Sequence, residues 1–434
     1  MTISSPDTKS SSPTHVDEVS PAEMAVGVVI GRTAESFDFL IYAFASVIVF
    51  PRTFFPFVDT LTGTLYSLAI FSLAFVARPL GTALFTRIDR RYGRGTKLGA
   101  ALMLLGSSTV AIAFLPGYAQ IGGASIWLLA LCRIGQGFAL AGSWDGLSSL
   151  LAVHAPPHRR GFYAMIPQLG APLGTLVASG LFAYIIANLS TADFLEWGWR
   201  YPFFVAFAIN VVALFARLRI VVTPEYVRLF ATRELQPSSI RATIRCNART
   251  IAIGAFVPLA SFALFHVVTV FPLAWVMLVS PGSASQLLVA QAVGSALGVA
   301  TSVASGWLAD RIGRLRLLAI GAALIAVFSA FAPPLLNAGR LGQLAFVLVG
   351  CALLGLSFGQ ASGAVAANFS IRHRYTGSAL TSDLAWLFGA GFAPWVALAL
   401  STRFGLAFGG AFLLSGAVGT LLALFLNRHV AGVR

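Results

Sequence analysis

Apolar runs of about 20 residues recur along nearly the whole of this 434-residue chain. At helical rise, such a run matches the hydrocarbon thickness of a bilayer. Water is absent there, so every backbone N–H and C=O must be satisfied within the spanning structure, and a run of this length and spacing does that as an α-helix. The balance of 57% hydrophobic to 10% charged residues fits a chain whose solvent is mostly lipid.

The runs predict helices at about 24–50, 62–85, 98–115, 124–152, 161–188 and 200–218, and again at about 250–278, 285–308, 317–335, 341–369, 377–401 and 405–427. The expected fold class is therefore an all-α membrane protein of twelve transmembrane helices. Residues 1–23 are polar and rich in Ser, Thr and Pro, without the apolar core of a signal peptide, and read as a disordered cytoplasmic tail. The organisation that follows is an amino-terminal six-helix bundle at 24–218, a cytoplasmic linker at 219–249, a carboxy-terminal six-helix bundle at 250–427 and a short cytoplasmic tail at 428–434.

Charge explains the orientation. With the amino terminus in the cytoplasm, Arg52, Arg200, Arg340 and Arg403 fall outside and Arg32, Arg78 and Arg133 within helices, leaving 22 of the 29 Lys and Arg residues on the cytoplasmic side. The positive-inside rule thus places both termini in the cytoplasm of a bacterial cell, with the chain in the inner membrane. The net charge of +14 is a product of this topology. A nucleic-acid binder would gather its charge on a soluble module, and there is none here. Three cysteines, without metal-ligand spacing, predict neither disulfides nor a metal site.

The two halves echo one another. DRRYGR at 89–94 returns as ADRIGR at 309–314, each between the second and third helix of its half, and HRRGFYA at 158–164 is echoed by HRYTGSA at 373–379. Parallel repeats of six helices predict a binding site near the midplane between them. In the segment GWLADRIGR, Gly306 permits close helix approach while Asp310, Arg311 and Arg314 form a charge network. Asp89, Arg90 and Arg94 lie in the echoed loop, and both sets are expected to act in gating.

Ionised groups inside a membrane cost at least about 2.5 kcal/mol each on insertion scales and need partners or a wet cavity. Arg32, Glu35 and Asp38 follow at spacing three on the first helix, and Tyr42 continues the stripe at spacing four. Asp38 and Glu35 are the expected proton carriers, the alternative for Glu35 being a permanent bridge to Arg32. Arg133 can clamp a carboxylate with two parallel hydrogen bonds and is the first choice for anion recognition, unless it pairs with an acid of the first helix. Arg78, near the end of its helix, can instead snorkel to the surface. Asp383 and Asp145 can bind a cationic group, pair with Arg or join the gate. Gln136, Gln168 and Asn368 are further polar candidates for substrate contact, and His266 is either a structural group or a proton relay.

The segments AESFDFLIYAF (34–44), ARPLG (77–81), RIGQGFALAGSWDG (133–146), HAPPHRRGFYAMIPQLGAPLG (154–174), WGWRYPFF (197–204), GWLADRIGR (306–314) and RYTGSAL (374–380) resemble the major facilitator superfamily. Within it they are most similar to the metabolite:proton symporters, which include shikimate, alpha-ketoglutarate, citrate and proline/betaine permeases. The resemblance implies the major facilitator fold, with two pseudo-symmetric bundles, and symport of a small organic acid or similar polar metabolite with protons. That family carries both acids of the first helix, but here Arg32 stands where its pattern has Asn, Ser143 and Val153 where it has Glu, and Asp145 and Asp383 where it has small or amide residues. The amino-half charge network is therefore rewired. The expected partners are a small-molecule substrate, protons and lipid, with the chain a monomer and without a cofactor. A drug or metabolite efflux antiporter and a non-transporting sensor are the alternatives. An enzyme is not expected, because no nucleophile, base and orienting group share a usable spacing and no phosphate-binding loop occurs.

Overall fold

The computed structural model describes residues 21–143, 155–221, 236–279, 284–361, 364 and 368–431. Its amino-terminal half is built from α1 (Pro21–Ile48), α2 (Thr60–Tyr92), α3 (Arg94–Phe114), α4 (Ala124–Gly142), α5 (Gly170–Asn188, preceded by helical turns from Arg160) and α6 (Tyr201–Val221). The carboxy-terminal half contains α7, in three pieces (Ile240–Phe256, Leu259–Thr269 and Phe271–Val279), then α8 (Ala284–Ile312), α9 (Arg314–Asn337) and α10 (Gly339–Phe358). It ends with α11 (Ile371–Ala385, a π-turn at Trp386–Gly391, then Ala393–Phe404) and α12 (Ala407–Ala431). Eleven of these spans are long and apolar enough to cross a membrane. The twelfth, α1, has the length, but Arg32, Glu35 and Asp38 interrupt its apolar run.

The repeated loops form the same turn in both halves. Gly93 (φ 83°) and Gly313 (φ 92°) adopt left-handed backbone that lets α2 run straight into α3 and α8 into α9. Asp59 caps α2, its carboxylate accepting from the Thr62 N–H at 3.0 Å.

Helix ends differ from the apolar runs where hydropathy carries no signal. α7 starts at Ile240, within the stretch read as linker, because Arg241, Arg245 and Arg249 are exposed while Thr243 and Asn247 are buried on one amphipathic face. Asn247 itself is non-helical (φ −133°, ψ 19°) and separates this face from the apolar part. α10 ends at Phe358, earlier than its apolar run, where Gly359 follows it.

α7 is broken twice, and side chains from neighbouring helices bridge both breaks. Pro258 interrupts the ladder, and Thr420 of α12 fills it: its hydroxyl accepts from Ala260 N–H at 2.8 Å and donates to the Phe256 carbonyl at 3.3 Å. Pro272 leaves the Val268 carbonyl without a donor. Gln291 of α8 donates to that carbonyl at 3.4 Å and to the Thr269 carbonyl at 2.6 Å.

Within the halves, α1 packs on α5 and α6, α2 on α4, α8 on α10, and α9 on α12. Two seams join the halves, α5 against α8 and α2 against α11. Twelve successive crossings return the chain to the side on which it started, so both ends of the described chain share a face, which we call the terminal face.

Candidate substrate cavity

Between the halves lies a cavity of about 130 Å³, counted as the space open to the centre of a water molecule. Arg32, Glu35, Ser36, Arg78, Gln168, Ser378, Thr381 and Ser382 form its polar wall, and Phe39, Phe75, Phe262, Phe265, Phe358 and Trp386 its aromatic one. The rings interlock: Phe75 stacks on Trp386 with centroids 6.0 Å apart, and Phe262 meets the same indole edge-on at 4.6 Å.

Two charged groups stand on this wall. In the first, Glu35 sits between two guanidinium groups, with Arg32 Nη1 at 2.9 Å and Arg217 Nη1 at 2.7 Å. Arg217 comes from α6 and also donates to the Ser143 carbonyl. In the second, Arg78 Nε donates to Asp383 Oδ1 at 3.3 Å across the α2–α11 seam, and the Thr82 hydroxyl donates to Oδ2. Arg78 therefore lines the cavity and is paired, where its position near a helix end suggested a side chain reaching for the surface. Asp383 is buried beside Thr381 and Ser382 of the wall.

Asp38, Arg133, Gln136 and Tyr42 come together, but behind the wall. Asp38 accepts from the Thr109 hydroxyl at 2.8 Å, Asn210 Nδ2 at 3.0 Å and Gln136 Nε2 at 3.4 Å. Gln136 in turn accepts from Arg133 Nη1 at 3.0 Å, which makes a relay Arg133–Gln136–Asp38 inside the amino-terminal half. The Arg133 guanidinium is fully buried, its carbon 4.1 Å from the Tyr42 ring centre and 4.6 Å from those of Phe39 and Phe71. Its Nε donates to the Phe71 carbonyl, whereas Nη2 and the Tyr42 hydroxyl have no hydrogen-bond partner among the described residues. His266 occupies the same aromatic layer against Phe39, Phe71 and Phe265, and neither ring nitrogen is hydrogen-bonded there.

The residues expected to act in gating divide unevenly between the two seams. Asp310 accepts from the Gly161 N–H at 2.6 Å and the Phe162 N–H at 3.2 Å, capping the first turn before α5. A Cβ on Gly161 would meet Asp310 Oδ1 at 2.9 Å, so glycine is what allows this approach. Arg314 Nη2 donates to the Gln360 carbonyl, and Gln360 Nε2 to the Gly161 carbonyl, extending the contact to α10. Asp89 instead lies 3.7 Å from both Arg94 Nε and Lys97 Nζ, and Lys97 donates to the Tyr375 hydroxyl of α11 at 2.8 Å. Arg90 and Arg311 are exposed. Asn368 is bonded to Asn427 of α12 at 2.8 Å and is not on the cavity wall. Asp145 lies outside the described residues.

Of the expected site residues, Arg32, Glu35 and Gln168 line the cavity and Asp383 borders it. Arg217, Thr109, Asn210, Thr82 and Lys97 complete the charge networks without having been singled out. Two of these, Thr109 and Thr82, are hydroxyls among several on their helices, and nothing in the spacing separates them from their neighbours.

The family model described as Major Facilitator Superfamily matches residues 36–394. The chain belongs to this superfamily. An inner membrane metabolite transport protein of Escherichia coli is 37% identical over 428 residues, covering 96% of this chain and 97% of the relative. The shikimate transporter of the same organism is 30% identical over 392 residues, 88% of each chain. Among solved structures, the superfamily's proton:xylose symporter superposes with a TM-score of 0.72 at 18% identity, covering 94% of this chain and 95% of that one. That likeness speaks for the fold: two six-helix halves of the superfamily, with the cavity between them.

Proposed function

We propose that the chain is a secondary active transporter that carries a small organic acid, or a similar polar metabolite, together with protons by alternating access. The observation that carries this reading is the cavity between the halves, with the guanidinium groups of Arg32 and Arg78 and six aromatic rings on its wall. Guanidinium groups in such a setting suit a carboxylate. The names of relatives that transport metabolites, shikimate and proline or betaine support the same substrate range. The positive-inside count supports a terminal face in the cytoplasm, and the protein works as a monomer in the inner membrane.

Among the groups expected to carry the proton, Glu35 is bridged on both sides by Arg32 and Arg217, and we read it as a fixed part of the wall. Asp38 accepts only from neutral donors among the described residues and balances Arg133 through Gln136, and we read it as holding the charge of the amino-terminal half. Gln168 and Ser378 are the polar contacts we assign to the rest of the substrate. Asp310, Arg314 and Asp89 with Arg94 hold the seams on the terminal face.

The test is uptake into proteoliposomes with and without an imposed proton gradient. Accumulation of an organic acid that collapses with a protonophore supports symport, and gradient-independent equilibration refutes it. Six rings on the wall favour a second reading, efflux of an amphipathic compound. Under it, lipophilic cations rather than organic acids would compete for the cavity.

A further inference from the structure

The Arg78–Asp383 pair joins the two halves, since Arg78 belongs to α2 and Asp383 to α11. The side chains are 12% and 4% exposed, so the pair is shielded from bulk solvent although Arg78 stands on the cavity wall. Only Nε of Arg78 is used, and its two terminal nitrogens make no hydrogen bond to the described residues. The Trp386 ring, 5.6 Å from the guanidinium carbon, supports the group from the side. A guanidinium with free terminal nitrogens on a cavity wall is built to take a carboxylate in paired hydrogen bonds.

We propose that this pair exchanges partners during transport: a substrate carboxylate takes Arg78 from Asp383, and Asp383 takes up a proton as it is released, so that one carboxylate and one proton are carried together. The proposal rests on the organic-acid symport reading and names its substrate site and coupling acid. The step balances. The ion pair between Arg78 and Asp383 Oδ1 breaks, an equivalent one forms with the cargo, and an O–H bond forms at Asp383 with a proton from the water of the cavity. The charge of the site is unchanged, because the incoming negative charge is matched by the proton. Without that proton, two carboxylates would share one guanidinium in a shielded site, which like charges at close range disfavour. The Thr82 hydroxyl can donate to the ionised acid or accept from the protonated one, so it serves Asp383 in both forms.

Other charges face the pair from the neighbouring helices. α3 contributes Lys97, itself engaged with Tyr375 and Asp89, and α1 contributes Arg32 and Glu35 across the cavity. On α7, Arg241, Arg245, Cys246 and Arg249 lie in its first turns, and His266 lies in the aromatic layer. α12 brings no titratable group between Ala407 and Asn427. On α11 itself, Arg372, His373 and Arg374 sit at its start, two to three turns from Asp383. The bonds of Lys97 to Tyr375 and Asp89 hold it in place while Arg78 changes partner.

The experiment uses the full chain in proteoliposomes and, as probes, shikimate, lactate, 2-oxoglutarate and proline. For the probe bound most tightly, wild-type affinity should weaken by about tenfold per pH unit on the alkaline side, the slope of one linked proton. Heats of binding in buffers of different ionisation enthalpy should report uptake of about one proton per carboxylate bound, a measurement that needs no variant. Asp383→Asn should bind with no such pH dependence, retain exchange between equal pools and lose accumulation driven by a proton gradient. Arg78→Lys, which keeps a cation beside Asp383 but loses the paired hydrogen bonds, should weaken binding at least tenfold while leaving the unfolding temperature near that of the wild type. Wild-type binding without proton uptake, or Asp383→Asn with the wild-type pH profile, overturns the proposal even though organic acids are carried. If no carboxylate probe binds or is carried by the wild type, the organic-acid reading itself has failed, and the exchange with it.

Discussion

Replacing Asp310 should loosen the α5–α8 seam by an amount that the geometry allows to be worked out. Its carboxylate accepts two backbone N–H bonds, at 2.6 Å and 3.2 Å, from the first turn before α5. Bonds to a charged acceptor contribute about 1.5–3 kcal/mol and neutral ones about 0.5–1.5 kcal/mol. Asp310→Asn keeps one acceptor oxygen without its charge and loses the other, and it also loses the favourable interaction of an anion with a helix N-terminus. Because Asp310 is half-buried, water replaces part of this, and the net change is about 1–2 kcal/mol. That corresponds to a fivefold to thirtyfold rise in the ratio of parted to closed seam. Spin labels on cysteines introduced at the exposed positions Arg159 and Arg316, after removal of Cys246, would read this ratio as a second, longer distance in a pulsed dipolar measurement. A parted fraction within twofold of wild type would refute the reasoning. A lowered unfolding temperature with an unchanged distance distribution would mean that Asp310 only finishes a helix end.

Two other predictions are independent of that seam. A cysteine at the exposed Glu196 should react with an impermeant thiol reagent added to intact cells and one at Arg241 should not, with labelling at Arg241 reversing the orientation. Asp38→Asn and Arg133→Gln should each lower stability in detergent, because each leaves the other's charge buried without its relay, whereas the double variant should recover about 1–3 kcal/mol of the summed loss. Strictly additive losses would show that Gln136 does not couple the two groups.

The helices were legible because apolar length is a strong signal, and the halves because the repeated glycine turn is the same structural device at Gly93 and Gly313. The cavity was legible only in part. Spacing three on a helix falls about 60° short of a full turn, so across two such steps Asp38 is rotated about 120° from Arg32. Arg32 and Glu35 therefore reach the cavity while Asp38 turns into the bundle toward Thr109 and Asn210. Charge count and spacing could not separate them, because the stripe's orientation is set by packing against α5 and α6. Arg133 was recognised as a buried cation, but the three rings that seal it come from two other helices.

The repeat also conceals an asymmetry: in the echoed loops Arg90 stands where Asp310 stands, and the acid, Asp89, comes one residue earlier. In the echoed segments, Thr376 stands where Gly161 stands. A β-branched residue there cannot admit a carboxylate as Gly161 admits Asp310. Thr376 instead accepts from the Ser238 N–H at 2.9 Å, and Asp89 turns back to Arg94 and Lys97. Similar loops thus face dissimilar helix starts.

The bends of α7 have a consequence for selectivity. Gly254, Pro258, Phe262 and Phe265 form one wall of the cavity, and they flank the break that Thr420 bridges from α12. A wall curved in advance, with its freed backbone groups already satisfied, needs no reshaping when a ligand arrives. Such pre-organisation removes a conformational cost from binding and leaves affinity to the contacts themselves. It also makes Thr420, which does not line the cavity, a determinant of its shape, so that selectivity can be altered from a position no substrate touches.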